Sequence, residues 1–134
     1  MFKVLLSVAV LMLAYPAYAQ HCDSVSVKSR ATPVYPEIAV MAKLQGTVSV
    51  KVELSADGRV ISARTSGPQK ILNEAAEENI RQWYFASPAA GCGYSINYVY
   101  KLEGKASRHP RRTRVIFRLP SEVELIAQPV IPNE

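Results

Sequence analysis

The sequence has few of the residues on which catalysis and metal binding depend. It contains two histidines, His21 and His109, and neither has a partner at the spacing of a paired ligand motif. His21, Cys22 and Asp23 are neighbours, but three consecutive side chains do not readily converge on one zinc ion. A glycine-rich phosphate loop and a serine nucleophile elbow are also lacking. These absences predict a protein that is not an enzyme and that uses no metal or cofactor.

Charge of one sign is only in moderate excess. The 134 residues carry a formal net charge of +5, with 49% hydrophobic and 20% charged residues. This composition is typical of a folded globular protein, and the length suits a single domain. So mild a charge does not favour nucleic-acid binding unless it is concentrated in a patch. We therefore expect no nucleic acid among the partners.

The apolar run near the N-terminus, Val4–Ala14, is short for a membrane span, which needs roughly 20 residues. Lys3 precedes it, and Ala17-Tyr18-Ala19 fits the small-x-small pattern of a cleavage site. This arrangement is typical of a secretory signal peptide. We predict that the mature chain begins at Gln20 and is periplasmic or secreted. An uncleaved inner-membrane anchor is the less favoured alternative.

Export changes what the two cysteines are expected to do. Cys22 and Cys92 both belong to the predicted mature chain, and an even number of cysteines in an oxidising compartment favours a disulfide. An internal bond would tie the mature N-terminus to a distant loop and contribute about 4 kcal/mol by the chain-entropy model. Two free thiols, or a bond between chains, are the alternatives.

The segment "TPVYPEIAVMAKLQGTVSVKVEL" changes from helical to strand periodicity at Gly46. Pro36 suits the start of a helix, which we predict over 36–44. The strand predicted over 47–54 alternates valine and leucine with polar residues. "SADGRV" at 55–60 is then typical of a hairpin turn, and the returning strand is predicted over 59–65.

The second half of the pattern is a longer helix followed by a strand. "QKILNEAAEENIRQW" places Leu72, Ala76, Ile80 and Trp83 on one stripe, and Trp83 is expected to lie buried against the first hairpin. "SINYVYKL", 95–102, alternates again. The predicted fold is therefore α+β, with two helices packed on one small antiparallel sheet.

These residues carry a resemblance to a known family. "P-x-Y-P" at 33–36, "QGTVSVKVELSADGRV", "LNEAAEENIRQWYF" and the final alternating strand resemble the C-terminal domain of TonB in order and spacing. The predicted organisation is a signal peptide (1–19), a lead segment (20–32), a TonB C-terminal-like domain (33–102), and a basic loop with an extra C-terminal β-hairpin (103–134).

The resemblance implies a binding function rather than a catalytic one. In that family an extended segment of an outer-membrane transporter, the TonB box, adds as a strand beside the last core strand. The implied partner is a protein or peptide of the envelope. The residues that the resemblance places near it are Pro33, Tyr35 and Pro36, and in the strand Ser95, Asn97, Tyr98, Val99 and Tyr100. Tyr35 and Pro36 have an equally good structural role, in core packing and helix initiation.

The chain also departs from the family pattern. The predicted signal peptide replaces a membrane anchor, and the lead segment is too short to cross a periplasm at ~3.3 Å per residue. "TRVIFRLPSEVELIA" predicts an extra hairpin, which either covers the edge of strand 95–102 or pairs with a second copy. A structural or self-associating envelope component is therefore the alternative function, and a homodimer stays open. The run "KASRHPRRTR", 105–114, is interpreted as a solvated basic loop. Contact with phosphate groups of lipid or lipopolysaccharide, or with acidic glycan, is the alternative, so any membrane contact is peripheral.

Overall fold

The computed structural model describes residues 25–86 and 92–132. They form an α+β arrangement of seven strands and two helices. In chain order these are β1 (Val27–Ser29), α1 (Glu37–Met41), β2 (Gly46–Leu54), β3 (Val60–Ser66), α2 (Lys70–Ile80), β4 (Tyr84–Phe85), β5 (Gly93–Leu102), β6 (Arg114–Arg118) and β7 (Glu122–Ala127).

The main sheet has five strands in the order β3-β2-β5-β7-β6. All neighbours are antiparallel except β5 and β7, which are parallel. The antiparallel sheet predicted for the strands within 33–102 is confirmed in β3, β2 and β5, and the parallel pairing of β7 makes the complete sheet mixed. The predicted C-terminal hairpin is present as β6 and β7, and it enters the sheet through β7. A second, two-stranded sheet pairs β1 with β4.

One face of the main sheet forms the core. The alternation predicted for β2 and β5 is confirmed, because every second side chain in both strands is buried. Helix α2 covers β2 and β3, and Ala76 is fully buried and allows close approach. The sheet residues buried in this core are Val48, Val50, Val52, Leu54, Tyr94, Ile96, Tyr98, Tyr100, Val123, Leu125 and Ala127.

The first helix is shorter than the predicted range of 36–44. Pro36 lies at the N-cap with φ −58°, and only residues 37–41 are helical. Lys43 has a φ of 57°, in the left-handed region, and ends the helical path before Gly46. Gly46 therefore begins β2 instead of ending α1. So short a helix depends on burial, which Ala39 and Val40 supply.

Trp83 is buried as predicted, and three aromatic rings lie around it. It follows α2, and its ring lies 6.2 Å from that of Phe85, 6.4 Å from Tyr98 and 6.0 Å from Phe117, centroid to centroid. These rings belong to β4, β5 and β6. The C-terminal hairpin thus supplies part of the environment of the only tryptophan.

Asn79 is a buried polar residue that joins three parts of the chain. Its Oδ1 accepts hydrogen bonds from the Trp83 indole and the Tyr98 hydroxyl, both at 2.8 Å. Its amide nitrogen donates to the Ala31 carbonyl at 3.1 Å. Sequence patterning had assigned no role to this asparagine, since nothing in a helical stripe distinguishes a buried amide from an exposed one. It connects α2 to β5 and to the segment that precedes α1.

Candidate peptide-binding edge

Strand β5 is an interior strand of the sheet. The Leu102 N–H donates to Gln45 Oε1 at 2.8 Å on the side of β2. On the other side the Asn97 N–H donates to the Ser121 carbonyl and the Glu103 N–H to the Ala127 carbonyl, both at 2.9 Å. Alternate N–H groups of this strand therefore point to β2 and to β7.

The strand predicted to form the peptide edge, 95–102, is paired within the chain. Residues 97–102 of β5 pair one to one with residues 122–127 of β7. The edge on which the resemblance places a partner strand is thus occupied by a strand of the same chain. The extra hairpin extends the sheet and covers β5 with β7, while the outer side of β6 is where a second copy would have to pair.

The strand residues predicted to contact a partner lie on two different faces. Tyr98 and Tyr100 point into the core and are fully buried, so their side chains are not available to a partner. Burial raises the pKa of both phenols well above its usual range. Ser95, Asn97 and Val99 lie on the opposite, open face of the sheet. The structure therefore does not bring the predicted side chains together as one surface.

The Tyr-Pro stretch is built into the core. Tyr35 is buried, its hydroxyl donates to the Leu44 carbonyl, and its ring meets that of Tyr100 edge to face at 5.2 Å. Pro33 is buried, and Pro36 is half-buried at the start of α1. Tyr35 thus has the core-packing role and Pro36 the helix-starting role that were the alternatives to partner contact. Of the three residues, only Pro36 is partly exposed.

A carboxylate on the open face fixes β7 to its neighbours. The side chain of Glu124 is only 8% exposed, and it pairs with Arg118 of β6 and, at 3.0 Å, with Lys101 of β5. The hydrogen bonds from Arg118 and then Lys101 hold the pKa of Glu124 below its usual range. The ionised carboxylate therefore connects three adjacent strands.

We expect acid to loosen this connection. A lowered folded-state pKa contributes stability that is present above the unfolded pKa and is lost as pH falls through the folded pKa. Glu124→Gln should therefore be less stable than wild type at neutral pH, and the difference should shrink in acid. Urea unfolding across this pH range measures it, with Glu53→Gln, an exposed residue of β2, as the control. A Glu124→Gln deficit that is independent of pH would contradict the assignment.

Strand β6 lies beside β7 at the end of the sheet, and its outer side is unpaired among the described residues. Within the described ranges, no strand and no backbone hydrogen bond lies on the side of Arg114–Arg118 away from β7. Val115, Ile116 and Phe117 in its centre are half-buried. Sequence reasoning found this strand but did not identify it as an edge, because strand order is not encoded in the alternation of one strand.

Other features bear on the earlier predictions. Over 25–86 and 92–132, no helix has the length and apolar character needed to cross a bilayer, and no three acidic, histidine or cysteine side chains converge as metal ligands would. Cys92 is buried and is not a free thiol. Its predicted partner Cys22 and the signal peptide, 1–19, lie outside the described residues. The pairing and the cleavage stay predictions.

The chain has recognisable relatives. Residues 31–103 match the family model described as the Gram-negative bacterial TonB protein C-terminal. The protein TonB of Klebsiella aerogenes is 30% identical over 77 residues, which is 56% of this chain and 32% of that protein. The protein TonB of Escherichia coli (strain K12) is 28% identical over 78 residues, covering 57% of this chain and 33% of that one. The protein TonB of Salmonella typhimurium is 28% identical over 80 residues, covering 58% of this chain and 33% of that protein.

The matched region and the fold coincide. The family match ends at position 103, directly after β5, so the basic segment and the β6–β7 hairpin lie beyond it. The chain spans about a third of the length of the curated relatives it matches. The family match covers more than half of this chain, and it includes both helices and the central strands. The chain therefore belongs to the TonB C-terminal domain family.

Proposed function

We propose that this chain is a protein-binding module of the bacterial cell envelope, which recognises extended peptide segments by strand addition and serves TonB-type transport. Outer-membrane transporters are the class of partner that the family suggests. The observation that carries the proposal is the position of the free edge. The sheet ends at β6, whose outer side is unpaired among the described residues.

Strand addition at β6 follows from the occupation of β5. A partner strand was expected beside β5. Within the described part of the chain, β7 occupies that position and β6 follows it as the last strand of the sheet. An unpaired edge presents N–H and C=O groups that a partner backbone can satisfy. Its half-buried centre, Val115–Phe117, offers apolar contact to alternate side chains of the partner.

The alternative function is a structural or self-associating component of the envelope. The filled edge of β5 favours it, since that strand is no longer available to a receptor. Self-pairing through β6 is less favourable in the symmetric register. An antiparallel pair of β6 strands centred on Ile116 places Arg114 opposite Arg118 of the second copy, and directly opposed like charges are destabilising. The ion pairs of these arginines with Glu103 and Glu124 reduce this repulsion but leave no attractive charge pair across the two strands. A partner of a different sequence avoids this repulsion.

Paired proline substitutions test the edge. Adjacent residues of a strand direct their N–H groups to opposite sides, so either Val115→Pro or Ile116→Pro removes an outward donor that folding does not need. The variant that folds normally should lose binding of a synthetic TonB box peptide at least tenfold, measured by calorimetry. Ser62→Pro and Ala63→Pro in β3, the other sheet edge, are the matched controls.

Amide exchange on the wild-type chain supplies a second readout. Peptide addition should slow exchange at 114–118 and leave 60–66 unchanged. Protection at 60–66 would place the partner on β3, and dimer formation without any peptide protection would favour the self-associating alternative. Either result would overturn strand addition at β6.

A further inference from the structure

The segment that contains the basic run, Lys105–Arg114, has a fixed backbone. We call it the basic segment. The Gln128 side chain donates to the Lys105 carbonyl at 2.8 Å and accepts from the Arg111 N–H at 2.9 Å. The Ser107 N–H donates to the Pro129 carbonyl, and the Ile131 N–H donates to the Ser107 carbonyl, both at 3.0 Å. The segment is thus tied to the chain that follows β7, and its side chains project from a defined backbone.

Most cations of the basic segment form no ion pair with another described residue. Arg114 pairs with Glu103 at 3.3 Å. No ion pair joins the other four cations to a described residue. These are Lys105, Arg108, Arg111 and Arg112. Two adjoining clefts of about 420 Å³ and about 500 Å³ share Arg111 and Gln128 and form one continuous surface. Glu37 lines the first cleft and Glu103 the second, so the five cations outnumber the two carboxylates.

Exposed apolar side chains border this surface. Met41, 48% exposed, and Ile131, 41% exposed, line the same cleft as Arg108 and Arg111. Ile38, 69% exposed, lies one turn before Met41 on the same face of α1. Met41 and Ile131 are thus exposed at the rim of an open cleft, and Ile38 lies beside it.

We propose that this surface docks on an anionic phospholipid membrane. Projecting apolar side chains beside unpaired lysines and arginines are the combination that binds the membrane interface, where phosphates meet the cations and acyl chains accept the apolar groups. An acidic peptide would use the same charges. It would not account for the exposure of Ile38, which lines neither cleft and is the most exposed of these three apolar side chains.

Vesicle sedimentation of the mature chain, with its N-terminus verified by mass, tests the proposal. The chain should bind vesicles of equal parts phosphatidylethanolamine and phosphatidylglycerol, and should not bind pure phosphatidylcholine. Each cation near an anionic surface contributes about fivefold to partitioning, so Arg108→Gln with Arg111→Gln should weaken binding on the order of 25-fold. The matched control is Lys51→Gln with Arg64→Gln, two exposed cations on the open face of the sheet.

A second variant separates membrane insertion from charge alone. Ile38→Ser with Met41→Ser should reduce vesicle binding several-fold while leaving the thermal midpoint within a few degrees of wild type, since both side chains are largely exposed. Equal losses in the arginine pair and its control would overturn the proposal. So would tight binding to soluble polyglutamate without binding to anionic vesicles, which would assign the surface to an acidic peptide.

Discussion

Replacing Trp83 with alanine is expected to destabilise the chain by about 3–5 kcal/mol. The ring is almost fully buried and touches aromatic residues of three strands, β4, β5 and β6. Truncation leaves a cavity beneath the C-terminal hairpin, and it removes the indole donor to Asn79 Oδ1. The measurement is urea unfolding monitored by far-ultraviolet circular dichroism, because the substitution removes the only tryptophan.

Trp83→Phe is the control for this prediction. Phenylalanine keeps an aromatic ring at the site, while Asn79 Oδ1 keeps its bond from the Tyr98 hydroxyl. The expected loss is therefore much smaller than for alanine. A loss below about 1 kcal/mol for Trp83→Ala would mean that the ring does not hold the tail against the core.

Replacing Leu125 with alanine should cost about 2–5 kcal/mol, as for a leucine in the interior of any domain. Leu125 lies on β7, is fully buried, and has Tyr100 and Val115 as its register partners. A dispensable tail would tolerate this change. Ile131→Ala, in the same C-terminal region but exposed, should change stability by less than about 0.5 kcal/mol.

Comparing Leu125→Ala with Ile131→Ala shows whether β7 is a stable part of the sheet or can be displaced from β5. If Leu125→Ala were as mild as Ile131→Ala, β7 would be loosely attached and could leave β5 to an incoming peptide. A large difference means that displacing β7 exposes Leu125 and Val123 to water, which opposes exchange with a partner strand. The partner must then use another edge.

Local pattern was sufficient for most elements of the fold. The alternation in β2 and β5, the turn at Asp57-Gly58 and the stripe on α2 each reflect which side of an element faces the core. The turn needs glycine, since Gly58 has a φ of 85° and an added Cβ would lie 1.9 Å from the Phe85 carbonyl oxygen. Such features depend on a few adjacent residues and can therefore be predicted from them.

The order of the strands in the sheet could not be predicted from adjacent residues in the same way. Whether β7 pairs with β5, with a second chain or with neither depends on contacts between residues far apart in sequence. The sequence did contain a signal, because all residues of Val123–Ala127 except Glu124 are apolar, and a nearly continuous apolar run suits an interior strand rather than an edge. In the structure every residue of this run is buried. Glu124 makes the run look like an alternating strand with one exposed face. Its carboxylate is buried only because it pairs with Arg118 and Lys101, which lie on the neighbouring strands.

Amide exchange of the free chain, with and without a TonB box peptide, tests the central claim most directly. That claim is that the chain's own β7 fills the edge of β5. By the spacing of the bonds at Asn97 and Glu103, the N–H groups of Val99 and Lys101 point to β7. In the free monomer these two amides should exchange as slowly as those of Tyr98 and Tyr100, and the peptide should leave them unchanged. Fast exchange at Val99 and Lys101 that the peptide suppresses, with loss of protection at 122–127, would contradict the account.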